Sequence, residues 1–146
     1  MLRTAGGWAV AVAVAAMLAG CGEQDEAQRP ATPAGGPIAL AIRYADGAGR
    51  VLTGRLACTA TEQRATGALA GGAPAVQLCA QARAIATLLT QPPPARRACT
   101  QVYGGPQAVR VTGTIDGRAV DRRFRRTNGC EIADFARVAG ALPVTG

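Results

Sequence analysis

The sequence predicts an α+β domain in which a largely antiparallel sheet of about five strands packs beside one main helix and a short second helix. Three observations support this fold: short runs that alternate apolar and polar residues, one stretch of good helix formers next to a proline run, and four cysteines beyond the amino-terminal segment. With 146 residues, the chain has room for one small domain plus export and linker segments.

The first two strands are expected to form a hairpin. From Ile38 to Ile42 every second residue is a large aliphatic, and Asp46-Gly47-Ala48-Gly49 then supplies turn residues. Alternation resumes from Arg50 to Cys58, which predicts an antiparallel partner for the first strand. The polar, Gly-rich stretch from Thr59 to Gly72 reads as a surface excursion.

A helix is predicted from Ala75 to Thr90. The stretch is rich in good helix formers, Pro74 precedes it, and its apolar stripe directs Cys79 toward the sheet. Gln91-Pro92-Pro93-Pro94 ends the helix, because proline cannot continue a helix and constrains the residue before it.

Two more strands are predicted, from Val109 to Ile115 and from Arg118 to Arg126. Asp116-Gly117 between them is a strong tight-turn signal. Glu131 to Val138 is compatible with either a final strand or a short helix. The chain shows no internal repeat.

The amino terminus has the layout of an export signal. Arg3 precedes an apolar run from Trp8 to Ala19, which is too short to span a membrane and is followed at once by acidic residues. Leu18-Ala19-Gly20-Cys21 resembles the lipobox of bacterial lipoproteins, in which the cysteine is acylated and the chain is cut before it. This implies a signal peptide over residues 1–20 and a lipid anchor on Cys21 at the outer face of the cell membrane. An ordinary cleaved signal and an uncleaved anchor are the alternatives.

Residues 21–36 are predicted to be a flexible tether, and residues 37–146 the domain. The domain carries 14 arginines and six acidic residues, a net charge of +8. Such a charge favours anionic envelope polymers, lipid headgroups or an acidic protein as partners. Nucleic acid is not expected, because export separates the chain from it and only 3% of the residues are aromatic.

The cysteine count favours two disulfides. Apart from Cys21 the chain has four cysteines, an even number for an exported domain: Cys58, Cys79, Cys99 and Cys130. Four cysteines allow three pairings, and the residues alone do not choose among them. Zinc binding is the alternative, but the chain has no Cys-x-x-Cys pair and no histidine, so neither a metal nor a cofactor is expected.

Enzymes are the least expected functional class. Without histidine, a Ser-His-Asp or Cys-His arrangement is impossible, and no Gly-rich phosphate loop is present. The acidic residues of the domain are scattered singly, and its cysteines are expected to be paired.

The segment from Cys99 to Cys130 carries the functional hypothesis. It reads Cys-Thr-Gln-Val-Tyr-Gly-Gly-Pro, then two strands about a Gly-containing turn, then Thr-Asn-Gly-Cys-Glu-Ile. The ordered set of four cysteines with Tyr103 and Asn128 resembles the subtilisin inhibitor-like family, bacterial protease inhibitors of the standard mechanism. The resemblance runs from about Ile38 to Leu142.

The resemblance implies a reactive bond between Gln101 and Val102, for which an extracellular serine protease is the expected partner. Asn128 would lie beneath the loop and hydrogen-bond to it. The other loop residues would be Cys99, Thr100 and Tyr103. A loop fixed by a disulfide and braced by a buried amide loses little ordering entropy on binding, and the uncharged side chain of Gln101 suits subtilisin-like enzymes.

The resemblance also implies the disulfides Cys58–Cys79 and Cys99–Cys130, and a homodimer formed through the sheet. The sequence departs from the family in two places near the loop. Gly104-Gly105-Pro106 is one residue longer than the family's turn after the tyrosine, and Arg126 stands where the inhibitors usually have an aromatic residue.

Structural alternatives exist for these residues. Tyr103 could be a half-buried ring and Asn128-Gly129 a plain turn. The run from Arg122 to Arg126 reads as a solvated strand with Phe124 inward, or else as a contact for an anionic surface. The second functional hypothesis is a non-inhibitory binding or structural module of the cell envelope, which a collapsed Gly104-Gly105 turn would favour.

Overall fold

The computed structural model describes residues 35–144, which belong to one compact unit. The predicted signal peptide, the lipid site at Cys21 and nearly all of the predicted tether lie outside the described residues. Within residues 35–144, no helix combines the length and the apolar character needed to cross a membrane.

The fold is α+β, as predicted, and its sheet has five antiparallel strands in the order β3-β2-β1-β4-β5. Both predicted hairpins are present, one joining β1 to β2 and the other joining β4 to β5. The strands are β1 (Ile38–Ala45), β2 (Val51–Cys58), β3 (Gln63–Gly67), β4 (Ala108–Ile115) and β5 (Arg118–Phe124).

One strand lies where none was predicted. The excursion from Thr59 to Gly72 contains β3, which follows a tight turn closed by a 2.7 Å hydrogen bond from Thr59 N–H to the Glu62 carbonyl. β3 is a short edge strand whose inward-facing residues, Gln63 and Ala65, are only partly buried and are not large apolar residues, so its sequence lacks the apolar alternation that predicts a strand. It is the fifth strand of the sheet, the place for which Glu131 to Val138 was one candidate.

The described residues contain three helices: α1 (Ala75–Ala84), α2 (Ala86–Thr90) and α3 (Gly129–Ala141). The single helix predicted from Ala75 to Thr90 is therefore interrupted, at Ile85, whose backbone angles of φ −104° and ψ 12° leave the helical range. α3 is the longest helix, and it resolves the ambiguous segment as helix rather than strand.

The core lies between the helices and one face of the sheet. Alternate residues of β1, β4 and β5 point into it, as do the buried Leu78, Leu89 and Val138 of the three helices. Each large aliphatic buried in this way contributes about 1.5–3 kcal/mol. The disulfide Cys58–Cys79 joins β2 to α1 inside the core, where both cysteines are buried.

The strand register shows which residues lie at each end of the sheet. Ile38 pairs with Ile115 at one end, and Ala45 pairs with Ala108 at the other, about 24 Å away for an eight-residue strand. The chain enters at the first end, where Asp116 N–H donates to the Pro37 carbonyl at 2.9 Å. The segment that leads into β4 arrives at the opposite end.

Candidate functional site

An exposed segment without helix or strand joins α2 to β4 and contains the predicted reactive bond. Gln101 is exposed, and the side chains of Val102 and Tyr103 are 58% and 66% exposed. Tyr103 is therefore not the half-buried ring of the structural alternative. These three consecutive residues, Gln101–Tyr103, form what we call the exposed tripeptide.

The amino-terminal side of the exposed tripeptide is fixed to the first turn of α3. Cys99 is bonded to Cys130, and the N–H of Gly129 donates to the Thr100 carbonyl at 3.0 Å. A Cβ at Gly129 would lie only 2.2 Å from Thr100 Oγ1, so the glycine allows the loop to approach the helix closely. Both disulfides are the pairs that the family resemblance implies.

The carboxyl-terminal side of the exposed tripeptide is also held. Gly104 N–H donates to the Arg126 carbonyl at 2.7 Å, and a Cβ at Gly104 would lie 2.8 Å from Ile132 Cδ1. Gly105 has φ +122°, and a Cβ there would lie 2.5 Å from Gln107 Oε1. The extra glycine is accommodated in a packed turn, because each glycine sits where a side chain would collide.

Arg126 braces this turn from behind. Its Nη1 donates to Gln107 Oε1 at 2.8 Å, and its guanidinium lies 5.6 Å from the centre of the Phe135 ring. Arg126 thus places a planar cation beside a ring of α3, at a position where the subtilisin inhibitor-like family usually has an aromatic residue.

Phe124 is buried, as predicted for a strand residue that faces inward.

Asn128 has a different role from the one implied by the resemblance. Its Oδ1 accepts the N–H of Glu131 at 3.0 Å, which caps the amino terminus of α3. The Glu131 carboxylate in turn accepts the N–H of Thr127, the residue before the cap, at 3.3 Å. Among the described residues, the side-chain hydrogen bond of Asn128 goes to the helix and not to the loop. Asn128 therefore supports the loop indirectly, by starting the helix that presents Gly129 and Cys130.

One further support was not predicted from the sequence. The turn between β1 and β2 lies against the carboxyl-terminal side of the loop, where a Cβ at Gly47 would come within 2.3 Å of Pro106 Cβ. Gly47 has φ +84°, so glycine is favoured there by both backbone conformation and space. The Asp-Gly-Ala-Gly tract signalled a turn, but no local pattern connects that turn with a proline nearly 60 residues away.

An ion pair and a proline-containing segment lie beside the Cys99–Cys130 disulfide. The segment comprises residues 91–97, and we call it the strap. Arg97 Nη1 lies 2.6 Å from Asp134 Oδ2 of α3, and both side chains are at most one-third exposed. The guanidinium of Arg122 donates to the Gln91 carbonyl at the start of the strap. The strap and the end of β5 border a groove of about 250 Å³.

Comparison with known proteins gives a structural likeness of low TM-score and no likeness in sequence. No family model matches the chain, and no curated protein matches it either. Among solved structures, the chain is similar to the Streptomyces caespitosus sermetstatin structure, a crystal structure of the complex with Bacillus licheniformis subtilisin, with a TM-score of 0.43 and 21% sequence identity. The match covers 75% of this chain and 100% of that chain. A likeness of this degree leaves the function to be argued from the geometry of the loop.

Proposed function

We propose that this chain is a lipid-anchored inhibitor of extracellular serine proteases, and that it places the Gln101–Val102 bond in the active site of a subtilisin-like enzyme. The observation that carries the proposal is the exposed tripeptide, which is held on both sides. The disulfide and the Thr100 carbonyl fix one side, and the Gly104 N–H fixes the other.

This arrangement supports tight binding. A protease binds its substrate as an extended segment and recognises side chains that project from it. Ordering such a segment costs roughly 0.5–1.5 kcal/mol for each side chain that becomes immobile, in addition to the backbone cost. Here the backbone on both sides of Gln101–Tyr103 is already hydrogen-bonded to the domain, so the backbone cost is largely met during folding.

The same contacts explain how a cut loop would still inhibit. In the proposed reaction, the protease serine oxygen bonds to the Gln101 carbonyl carbon, the bond to Val102 nitrogen breaks, and that amine takes up the proton. The new amine stays close to the acyl group, because Thr100 is bound to Gly129 and Gly104 to Arg126. Two reacting groups held in this way have a high effective concentration, so the peptide bond re-forms in competition with hydrolysis.

The lipid anchor rests on the lipobox and is supported by the direction of the chain. The described chain begins at the end of the sheet opposite the loop. A flexible tether of residues 21–36 would have an average reach of about 20–24 Å. The loop therefore lies at the end of the sheet opposite the point where the tether would join the domain, so the tether would not cover it.

A non-inhibitory binding or structural module is the competing hypothesis. The packing of Gly104 and Gly105 distinguishes it from the inhibitor. A loop released from its inhibitory role would be expected to loosen or collapse at Gly104-Gly105. Instead, Gly104 packs against Ile132 and donates a hydrogen bond to Arg126, which favours the inhibitor.

Replacement of Gln101, the residue that would enter the protease's primary specificity pocket, tests the proposal. Gln101→Lys should convert the domain into an inhibitor of trypsin-like enzymes, which accept a basic side chain, and should lower its inhibition constant for them by about 30-fold or more, the effect of one interface hot spot. Gln77→Lys adds the same charge on the exposed surface of α1 and serves as the control. Equal inhibition constants for the two variants would contradict the assignment of Gln101.

A further inference from the structure

The face of the sheet that points away from the helices is uncovered and strongly basic. Its side chains are mainly alanine, threonine and arginine, and we call it the open face. Its exposed arginines are Arg43, Arg55, Arg64, Arg110 and Arg123. Among the described strand residues, Asp121 is the one acidic side chain on this face.

Three of these arginines lie directly opposite one another on adjacent strands. Arg43 of β1 pairs with Arg110 of β4, and Arg110 pairs with Arg123 of β5. Like charges in directly opposed positions destabilise a sheet. The fold thus carries a row of mutually repelling guanidinium groups near the end of the sheet that bears the loop.

Internal acids compensate only part of this charge. Arg110 forms a bidentate pair with Asp121, at 3.0 Å from Nε to Oδ1 and 2.9 Å from Nη2 to Oδ2. This hydrogen bonding lowers the pKa of Asp121, so the carboxylate stays ionised under all ordinary conditions. In the described part of the chain, the side chains of Arg43, Arg55 and Arg123 have no ion-pair partner.

Two unpaired arginines, Arg43 and Arg55, and the paired Arg110 border a shallow basin of about 620 Å³ on the open face. Arg43, Arg55 and Arg110 line it, Ala41 contributes an apolar surface, and Thr53 and Thr112 add hydroxyl groups. Guanidinium forks and hydroxyls are the donors that suit phosphate oxygens. Because the neighbouring side chains are short, a flat and extended anionic surface can reach the arginines without obstruction.

We infer that the open face binds the phosphate headgroups of an anionic lipid bilayer. Charge complementarity favours this occupant over a second copy of the chain, because stacking two open faces would bring their arginine rows together. The inference goes beyond protease inhibition and does not require it. A domain that is tethered close to the membrane would meet such headgroups at high local concentration.

Vesicle binding by residues 32–146, without the lipid anchor, tests the inference. The domain should sediment with vesicles of equal parts phosphatidylglycerol and phosphatidylcholine but not with phosphatidylcholine alone. Raising the salt from about 0.1 M to about 1 M should release it, because the Debye length falls from about 10 Å to about 3 Å. Absence of binding to the anionic vesicles at low salt would overturn the inference.

Matched variants locate the binding surface. Arg43→Gln with Arg55→Gln should weaken vesicle binding by about 25-fold, since each arginine near an anionic membrane contributes roughly a factor of five. Arg118→Gln with Arg137→Gln removes the same charge from exposed positions that do not line the basin, and should change binding less than the open-face pair does. Equal losses in the two double variants would show a response to net charge alone and refute a specific face.

Two further outcomes would overturn the inference in favour of another occupant. One is an equally strong interaction with inorganic phosphate that displaces the domain from vesicles, which would indicate a site for free phosphate. The other is a dimer in sedimentation velocity whose dissociation constant changes in the Arg43→Gln/Arg55→Gln variant but not in the Arg118→Gln/Arg137→Gln variant. Because the open face does not include the exposed tripeptide, both double variants should retain protease inhibition, so failure here leaves the proposed function intact.

Discussion

Removal of the Cys99–Cys130 disulfide should abolish tight inhibition, whereas removal of Cys58–Cys79 should leave inhibition intact. The two bonds close chain segments with sequence separations of 31 and 21 residues. In the chain-entropy description, these closures stabilise the fold by about 3.7 and about 3.3 kcal/mol at 25 °C. The entropic losses are therefore nearly matched, and removal of the buried Cys58–Cys79 pair also costs core packing, so that variant is a stringent control for the loss of inhibition.

The two bonds differ in what they hold. Cys58–Cys79 lies in the core between β2 and α1, far along the chain from the loop. Cys99–Cys130 is the covalent connection of the exposed tripeptide to α3. Without it, the Gln101–Val102 bond would be held on its amino-terminal side only by the Thr100 hydrogen bond and the Arg97–Asp134 ion pair, and the domain should become an ordinary substrate that is cut and released.

The assay combines urea unfolding of the double alanine variants with inhibition constants for a subtilisin-type protease. Inhibition is measured at a temperature where circular dichroism shows both variants folded, because a loss of this size is a large share of the 5–15 kcal/mol typical of a domain. We expect a loss in unfolding free energy that is at least as large for Cys58→Ala/Cys79→Ala, and a large rise in the inhibition constant for Cys99→Ala/Cys130→Ala alone. Equal inhibition constants for the two folded variants would refute this reasoning.

Two other predictions concern residues that position the loop. Asn128→Ala should lower the unfolding free energy by about 1 kcal/mol through loss of the helix cap, and Asn128→Asp should restore it, as measured by urea unfolding. A loss of inhibition with unchanged stability would instead indicate that Asn128 contacts the loop directly. Gly105→Ala should destabilise the domain by about 1–3 kcal/mol, because φ is +122° and the methyl group would displace the Gln107 amide that Arg126 holds. Gly140→Ala, in open space on α3, should leave stability unchanged or raise it by up to about 1 kcal/mol, and a Gly105→Ala domain as stable as the Gly140→Ala domain would contradict the packed turn.

The sequence predicted those elements whose pattern is local. Alternation located β1, β2, β4 and β5, and Asp116-Gly117 located the turn between the last two. Apolar periodicity also predicted the region of α1 and α2, but it did not predict the interruption at Ile85. Ile85 is a buried residue at an apolar position of the helical pattern, so the pattern continues through the break.

Elements that depend on contacts with residues far away in the sequence could not be predicted from local patterns. β3 is recognisable mainly through its pairing with β2, because its inward-facing residues, Gln63 and Ala65, are not large apolar side chains. The role of Asn128 could have been read locally, since Asn128 and Glu131 have the spacing of a helix cap, and the same spacing would have identified α3 as a helix. The support that Gly47 gives to Pro106 depends on tertiary packing and has no local signal.

The most direct test of the proposed function is an active-site titration of a subtilisin-type serine protease with residues 32–146, followed by mapping of any cut in the recovered domain. The account predicts that activity falls linearly to an end point at one domain per enzyme, and that any cut lies between Gln101 and Val102 with the complex still intact. Failure to inhibit any serine protease, or rapid cleavage of that bond with loss of binding, would contradict it.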